Sequence, residues 1–325
     1  MPLNVHTGPT TDPLRIVITG GPGIGKTTLA ASIPGAVFLD AEGGGSDLSI
    51  ARIPIRTWGD ATAAVAGLLT EPHPYRVVVI DTVDMLERLC WKQLCIDGRV
   101  ESIEQYDKGF GHGYTAAMER QLRVIASLDA LRSKRHMAIV VLAHTTIKTF
   151  DDPEGLPYAR YQLSMNDKAA KLWTGWADAV LFAGLDVRVD ETAKGRGKAR
   201  DEKPARMLWT EARPAYDAKN RHGLPAALPL SWAALSKAIR WDERHPSPDA
   251  PAAPCPAVPV PGITAAAIAT AAGEAMASRG WSRADVVELL MQHGSADGKP
   301  SQIPPEHRQM VLDALALPFT VHPES

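Results

Sequence analysis

The chain has 325 residues, of which 45% are hydrophobic and 22% charged, and its formal net charge is −2. This length and composition predict a large folded domain with a small second one, and they exclude wholesale disorder and a generally basic nucleic-acid coat protein. The three cysteines are too few and too irregularly spaced for a disulfide framework or a zinc site, which favours a reducing compartment.

Residues 1–13 are polar and contain no apolar segment, so we expect a flexible tail rather than a signal peptide. The longest apolar runs of the chain fall well short of the length that crosses a bilayer. Together these features predict a cytoplasmic protein that does not associate with membranes.

Apolar runs rich in β-branched residues predict buried strands at 14–19, 36–39, 76–80, 137–143 and 178–183. Stretches with helical spacing separate them, most clearly residues 114–133, where apolar side chains recur every three or four positions. A hairpin is expected at 206–213 and in the stretch before it. Strands that alternate with helices predict an α/β domain with a mostly parallel sheet flanked by helices, which we assign to residues 14–241.

The first predicted strand runs into the sequence GGPGIGKT, which fits the phosphate-binding pattern G-x-x-x-x-G-K-[ST]. Glycines let backbone N–H groups converge on phosphate oxygens, the lysine reaches the β- and γ-phosphates, and the threonine hydroxyl binds Mg²⁺. We therefore predict that the chain binds ATP with Mg²⁺. The residues expected to contact the nucleotide are Gly20, Gly21, Pro22, Gly23, Ile24, Gly25, Lys26, Thr27 and Thr28.

Asp81 follows the apolar strand at 76–80. A carboxylate at the end of such a strand, downstream of a phosphate loop, is typical of the acid that holds Mg²⁺ through water. Thr27 and Asp81 are therefore the predicted Mg²⁺ residues. No glutamate directly follows Asp81, but Asp84 lies close by and is one candidate for the base that activates water.

Two later segments have the composition of a nucleic-acid-binding surface. Residues 147–168 interleave Lys148 and Arg160 with aromatic side chains that include Tyr161, although acidic residues in the same segment oppose phosphate binding. No base-reading motif accompanies either segment, so we expect any DNA binding to be largely independent of sequence. The second segment is 194–206, whose basic residues include Lys194, Arg196, Lys198 and Arg200. The alternative interpretation of this segment is a solvated loop without a ligand.

Residues 242–262 are rich in proline and alanine, which predicts a semi-rigid linker. Residues 263–325 are expected to form a small helical domain. Its helices are predicted at 264–279, 283–293 and near 306–316, and a capping-box pattern precedes the second.

Three further features resemble RecA-like ATPases. A strand ends in Asp-Ala-Glu at Glu42, another ends at His144, and residues 219–223 read KNRHG. The resemblance implies that Glu42 orients the attacking water, with Asp84 as the alternative, and that His144 senses the γ-phosphate where many relatives have glutamine. It also implies that Lys219 and Arg221 act in catalysis by reaching the nucleotide of a neighbouring subunit.

Residues 14–232 are similar to a phage family of RecA-like ATP-binding proteins that act in single-strand annealing recombination. The segment 106–114 looks like the glycine-tyrosine loop of that family, and 171–183 also matches. The resemblance implies a DNA-stimulated ATPase that forms a ring or filament and works in the cytoplasm of a bacterial host. The C-terminal domain resembles tails of phage recombination proteins. From its position beyond the linker, we expect it to recruit a partner such as a single-strand-binding protein.

Two other functions fit the sequence. A nucleotide-dependent loader or scaffold would use the same phosphate loop to switch protein partners in DNA replication or repair. A small-molecule phosphotransferase would need a lid with paired arginines, which segment 194–206 could supply, but it would leave KNRHG and Glu42 unexplained. DNA-stimulated ATP turnover separates the first function from these two.

Overall fold

The structure is a computed structural model, and it describes residues 12–44, 47–153, 155–187, 189–191, 197–199, 204–241, 265–278, 282–292, 295, 297–302, 311 and 315. The chain divides into two compact units, Met1–Cys255 and Pro256–Ser325. The predicted tail at 1–13 lies almost wholly outside the described residues, and the linker at 242–262 lies entirely outside them. Within the described part of the chain, no helix combines the length and apolar character needed to cross a bilayer.

The first unit is built on a mixed sheet that is mostly parallel. Its central strands are β1 (Arg15–Gly20), β2 (Ala36–Asp40), β3 (Ala51–Pro54), β4 (Val77–Asp81), β5 (Ala138–Phe150) and β7 (Ala179–Leu185). They lie side by side in the order β7-β1-β5-β4-β2-β3, all parallel. One strand, β5, therefore separates the phosphate-loop strand β1 from the Asp81 strand β4. The predicted α/β class is confirmed.

Helices cover both faces of this sheet, because alternate side chains of each buried strand point to opposite faces. Val17, Val78 and Val141 pack on one side, under helices α2 (Trp58–Thr70), α3 (Val83–Gly98), α4 (His112–Arg135) and α5 (Asp167–Trp176). Ile16, Val79 and Val140 pack on the other side, under α1 (Lys26–Ala31) and α6 (Trp232–Ala238).

The segment 147–168, whose basic and aromatic residues have the composition of a nucleic-acid-binding surface, is largely regular structure. Strand β5 continues to Phe150 and pairs antiparallel with β6 (Tyr158–Leu163). Alternating exposed and partly buried residues in both strands suit such a pair, in which one side faces solvent. Helix α5 follows at Asp167, and the side chain of Asn166 caps it by accepting a hydrogen bond from Lys168 N.

Short strands extend the sheet beyond β7. Strand β10 (Arg206–Trp209) pairs antiparallel with β7, β12 (Ala227–Pro229) continues outward, and β11 (Lys219–Asn220) pairs with the first half of β7. Strands β8 (Val189–Glu191) and β9 (Gly197–Ala199) pair antiparallel upstream of residue 206. The hairpin expected at 206–213 and in the stretch before it is not formed as predicted, because residues 206–209 take β7 and β12 as their partners.

The second unit contains α7 (Ala265–Ser278) and α8 (Arg283–Gln292), close to two of the predicted helices. Ile268, Ala275 and Leu290 belong to its small apolar core. Most of the third predicted helix, 306–316, lies outside the described residues.

Candidate nucleotide site

The phosphate loop connects β1 to α1 at the carboxyl edge of the parallel sheet. A side chain at Gly20 would place its Cβ 2.4 Å from the carbonyl oxygen of Ala183 on β7, so only glycine fits there. Gly25 has a φ of 109°, a left-handed conformation that other residues adopt at a cost. Both positions therefore need glycine, as the predicted phosphate loop does. Helix α1 begins directly after this loop, at Lys26.

Lys26 folds back over this loop. Its side chain is buried, and Nζ donates hydrogen bonds to the carbonyl oxygens of Gly20 at 2.9 Å and Gly21 at 3.0 Å. Burial lowers the pKa of Lys26, and the charges of Glu42, Asp84 and Asp81 oppose that shift. The ammonium thus lies in the cradle where phosphate oxygens would replace the loop carbonyls as its partners.

Asp81 ends β4 and is 4% exposed. Burial raises its pKa to about 6, although a hydrogen bond with Thr27 and the charge of Lys26 oppose the shift. One carboxylate oxygen, Oδ1, has no hydrogen-bond partner among the described residues. A buried, unsatisfied carboxylate oxygen beside a threonine hydroxyl fits a hydrated Mg²⁺, because hard cations take oxygen ligands.

Glu42, His144 and Asp84 lie together at the same edge of the sheet. The backbone N–H of Glu42 donates to the Asp81 carbonyl at 3.1 Å, which ties the end of β2 to β4. The His144 ring bridges the other two side chains, with Nδ1 3.1 Å from Asp84 Oδ2 and Nε2 3.7 Å from Glu42 Oε1. In the sheet, His144 on β5 is in register with Gly20 of the phosphate loop.

The two carboxylates of this group differ in burial and in bonding. Asp84 is 3% exposed and accepts both the backbone N–H and the ring Nδ1–H of His144, while the Glu42 side chain is 36% exposed. Burial raises the pKa of Asp84, but the bonds from His144 outweigh it and hold the pKa below its usual range. Glu42 is thus the accessible carboxylate, and Asp84 is occupied in holding the imidazole.

Lys219 does not approach its own phosphate loop. It pairs with Val180 in the sheet, three residues along β7 from Ala183, which is in register with Gly20. That offset is roughly 10 Å toward the opposite edge at the usual rise per strand residue. Its Nζ donates to three carbonyl oxygens at the end of α5, those of Thr174, Gly175 and Ala177.

Arg221 stands in the turn that follows Lys219, and it is exposed. Asn220 builds this turn: its side chain accepts the backbone N–H groups of His222 and Leu224 and donates to the Leu224 carbonyl. The turn therefore presents Arg221 outward, whereas the neighbouring lysine is used within the chain. The predicted catalytic role of both residues toward a neighbouring subunit stays a prediction.

The described DNA-binding candidates on the β5–β6 hairpin are engaged within the chain. Lys148 pairs with Asp167 at 3.3 Å, and Arg160 pairs with Asp217 while its guanidinium lies over the Phe150 ring. Tyr161 packs against Phe182, with ring centroids 5.1 Å apart. Lys194, Arg196 and Arg200 lie outside the described residues; Lys198 lies in β9, and its side chain is not described.

Next to this hairpin lies the glycine-rich loop of the segment 106–114. Five consecutive residues, 107–111, have positive φ, and within them Phe110 is 96% exposed. The glycine spacing of this loop was visible in the sequence, but the exposure of its phenylalanine was not. A cavity of about 390 Å³ adjoins the loop and is lined by Gly111, Tyr114, Lys148, Met165, Asn166, Asp167 and Lys168.

A family model described as an AAA domain matches residues 12–222, which covers the phosphate loop, Asp81, the Glu42–His144–Asp84 group and the KNRH sequence. No curated protein matches the chain. The family indicates a nucleotide-binding domain that typically works with Mg²⁺, in agreement with the loop geometry and the unsatisfied carboxylate of Asp81. The chain therefore belongs to the AAA-domain family of P-loop NTPases.

Proposed function

We propose that this protein is a phage-type, RecA-like ATPase that hydrolyses ATP while acting on single-stranded DNA in recombination by strand annealing. The observation that carries the proposal is the Glu42–His144–Asp84 group beside the phosphate loop. It places an accessible carboxylate, which can accept a proton from water, 3.7 Å from an imidazole whose residue is in register with the phosphate loop.

Each residue has a role in this mechanism. Lys26 and the backbone of the phosphate loop bind the phosphates, and Thr27 and Asp81 hold the Mg²⁺, which supplies charge neutralisation. Glu42 accepts the proton of the attacking water, and His144 contacts the γ-phosphate. Asp84 accepts two hydrogen bonds from His144 and so orients its ring.

Single-stranded DNA is proposed to lie along the β5–β6 hairpin and the 107–111 loop. Phe110 offers a bare aromatic face for a base, and Lys148 and Lys168 line the adjacent cavity. Base stacking and phosphate contacts of this kind tolerate any sequence. Because Lys148 and Arg160 are paired with Asp167 and Asp217, DNA phosphates would have to replace these carboxylates.

The protein is further proposed to act as a homo-oligomer, a ring or filament in which Arg221 stabilises the transferring phosphoryl group of a neighbour. Its exposed position on an ordered turn supports this role. The small C-terminal unit would recruit a single-strand-binding protein.

The ion pairs on the hairpin favour a second candidate function. If Lys148 and Arg160 stay paired with Asp167 and Asp217, these two hairpin cations are not available to DNA phosphates. The protein is then instead a nucleotide-dependent loader or scaffold that switches protein partners. The two functions differ in whether DNA alters ATP turnover.

The test measures ATP turnover and filter binding with single-stranded DNA of two unrelated sequences, with and without ATP. We expect stimulated turnover, similar affinity for both sequences, and a binding constant that falls with salt by a logarithmic slope of about −0.7 per phosphate contact. Phe110→Ala should weaken DNA binding, while Lys26→Ala abolishes turnover. A salt slope near zero with unstimulated turnover would establish the loader function instead.

A further inference from the structure

Arg206 was grouped by sequence with the basic segment 194–206. In the structure it begins β10, and its side chain lies at the phosphate loop. A Cβ built on Gly25 would lie 3.3 Å from Nη1 of Arg206. Gly25 immediately precedes Lys26, so the guanidinium lies beside the part of the loop that receives the phosphates.

The backbone of Arg206 is fixed from both sides, so this approach follows from the sheet rather than from a loose side chain. Arg206 begins β10 and pairs with Leu185, just beyond the Ala183–Gly20 register pair. Its carbonyl oxygen accepts the Leu230 N–H at 2.9 Å, and the preceding residue, Ala205, accepts the Asp186 N–H at 2.8 Å. Strand β10 therefore begins at the same carboxyl edge as the phosphate loop.

The charge of Arg206 is also uncommitted. Among the described residues, no carboxylate forms an ion pair with it and no acceptor takes a hydrogen bond from its guanidinium, and the residue is exposed. Lys148 and Arg160 on the hairpin, by contrast, both face aspartates. An arginine fork is well suited to phosphate oxygens because it presents several N–H donors in one plane.

We propose that Arg206 binds the phosphates of the nucleotide in the same subunit, at the α and β positions that ATP and ADP share. Its position next to Gly25, rather than beside Glu42 and His144, assigns it to the diphosphate and not to the γ-phosphate. Arg206 thus acts in binding the nucleotide of its own subunit. Arg221, by contrast, is proposed to act on the nucleotide of a neighbouring subunit during the reaction. The inference rests on the nucleotide-binding part of the proposed function and is independent of its DNA part.

The test compares the affinities of full-length wild type, Arg206→Ala and Arg206→Lys for ATP, ADP and inorganic tripolyphosphate by calorimetry. We expect Arg206→Ala to raise the Kd of all three ligands about tenfold or more, as the loss of a charge-assisted contact does. Lysine should restore part of the affinity, because it keeps the charge but loses the planar fork. The kcat at saturating ATP should stay within about twofold of wild type, because an interaction made equally before and during the reaction does not change it.

Arg213→Ala is the matched control. It removes an exposed arginine four residues beyond the end of β10, in a turn that Arg213 and Tyr216 close through two backbone hydrogen bonds. Unchanged ADP affinity in a folded Arg206→Ala protein would overturn the proposal, as would a loss confined to kcat. A loss for ADP without a loss for tripolyphosphate would overturn it too, because it would place the arginine on the base or ribose. Failure of the wild type to bind ATP would instead contradict the proposed function itself.

Discussion

At the scale of single residues, burial distinguishes two neighbouring carboxylates of the site, those of Glu42 and Asp84. Glu42 follows β2 and stays partly exposed, while Asp84 lies in the first turn of α3 and is buried against His144. A proton acceptor has to meet water, whereas a group that orients an imidazole works best where water cannot compete. In the proposed mechanism, the same chemical group thus has two different functions in one site.

Glu42→Gln should bind ATP normally but hydrolyse it at least about a hundredfold more slowly, since the amide keeps the shape and cannot accept a proton. Asp84→Asn should slow hydrolysis less, because it acts only through the His144 ring. Asp97→Asn, which removes an exposed carboxylate of the same helix α3, is the control. Rates measured at saturating ATP check this. Normal turnover in Glu42→Gln together with a dead Asp84→Asn would identify Asp84 as the base.

At the scale of secondary-structure elements, helix α3 contacts the chain at both ends of the β5–β6 hairpin. Where the hairpin begins, Asp84 accepts hydrogen bonds from His144. One helical turn later, Glu87 accepts the N–H of Asn166, just after the hairpin ends, at 2.9 Å. Gln121 of α4 donates to the same carboxylate at 3.3 Å and accepts from Trp173 of α5. The helix that follows the Asp81 strand is therefore connected to the segment proposed to bind DNA.

Glu87 should make stability depend on pH. Burial raises its pKa above the ordinary value, against hydrogen bonds from Asn166 and Gln121, so the folded protein holds this proton to higher pH than the unfolded chain does. The resulting stabilisation is complete below the unfolded pKa of about 4.3 and is lost as pH rises through the raised folded value. Glu87→Gln should flatten this fall in unfolding free energy, measured in urea from pH 4 to 8 without nucleotide. An unchanged slope would contradict the assignment to Glu87.

The sequence predicts elements well where one physical signal is enough. Buried parallel strands are continuous apolar runs, so β1, β2, β4 and β7 were found within a few residues, and the phosphate loop was found from its glycines. The outer half of β5 was missed because it depends on pairing with β6. Neither this outer half nor β6 is a continuous apolar run. Helix α3 was not singled out for a similar reason, since its buried Asp84 and Glu87 interrupt the apolar pattern.

The same distinction applies to the site. Lys26, Thr27 and Asp81 could be named from spacing alone, because a local motif fixes them. The proximity of Arg206 to Gly25, and the use of Lys219 by the end of α5, depend on which strand lies beside β7. Strand order is set by the packing of the whole sheet, and a single sequence carries no direct record of it.

At the scale of the whole molecule, the proposed oligomer can be tested by mixing inactive subunits. Lys26→Ala lacks its own phosphate-loop cation and Arg221→Ala lacks the exposed arginine, so each alone should be inactive. In a mixed assembly, an intact loop from the second meets an intact arginine from the first, so turnover should return and be greatest near equal mixing. Each variant alone at the same total concentration is the control. Absence of rescue in verified mixed oligomers would confine Arg221 to its own subunit.

Strand β5 connects the nucleotide site to the hairpin tip as one continuous strand. This one strand has 13 residues; its first half is clamped in the sheet, and its outer part, Thr145–Phe150, runs with β6 to the hairpin tip. This outer part begins beside His144, whose carbonyl oxygen accepts the Ser164 N–H at 2.9 Å. Six strand residues span about 20 Å, so a tilt of about 10° at His144 would move the hairpin tip by about 3.5 Å. A small change of strand direction at the nucleotide site would thus correspond to a large displacement at the tip.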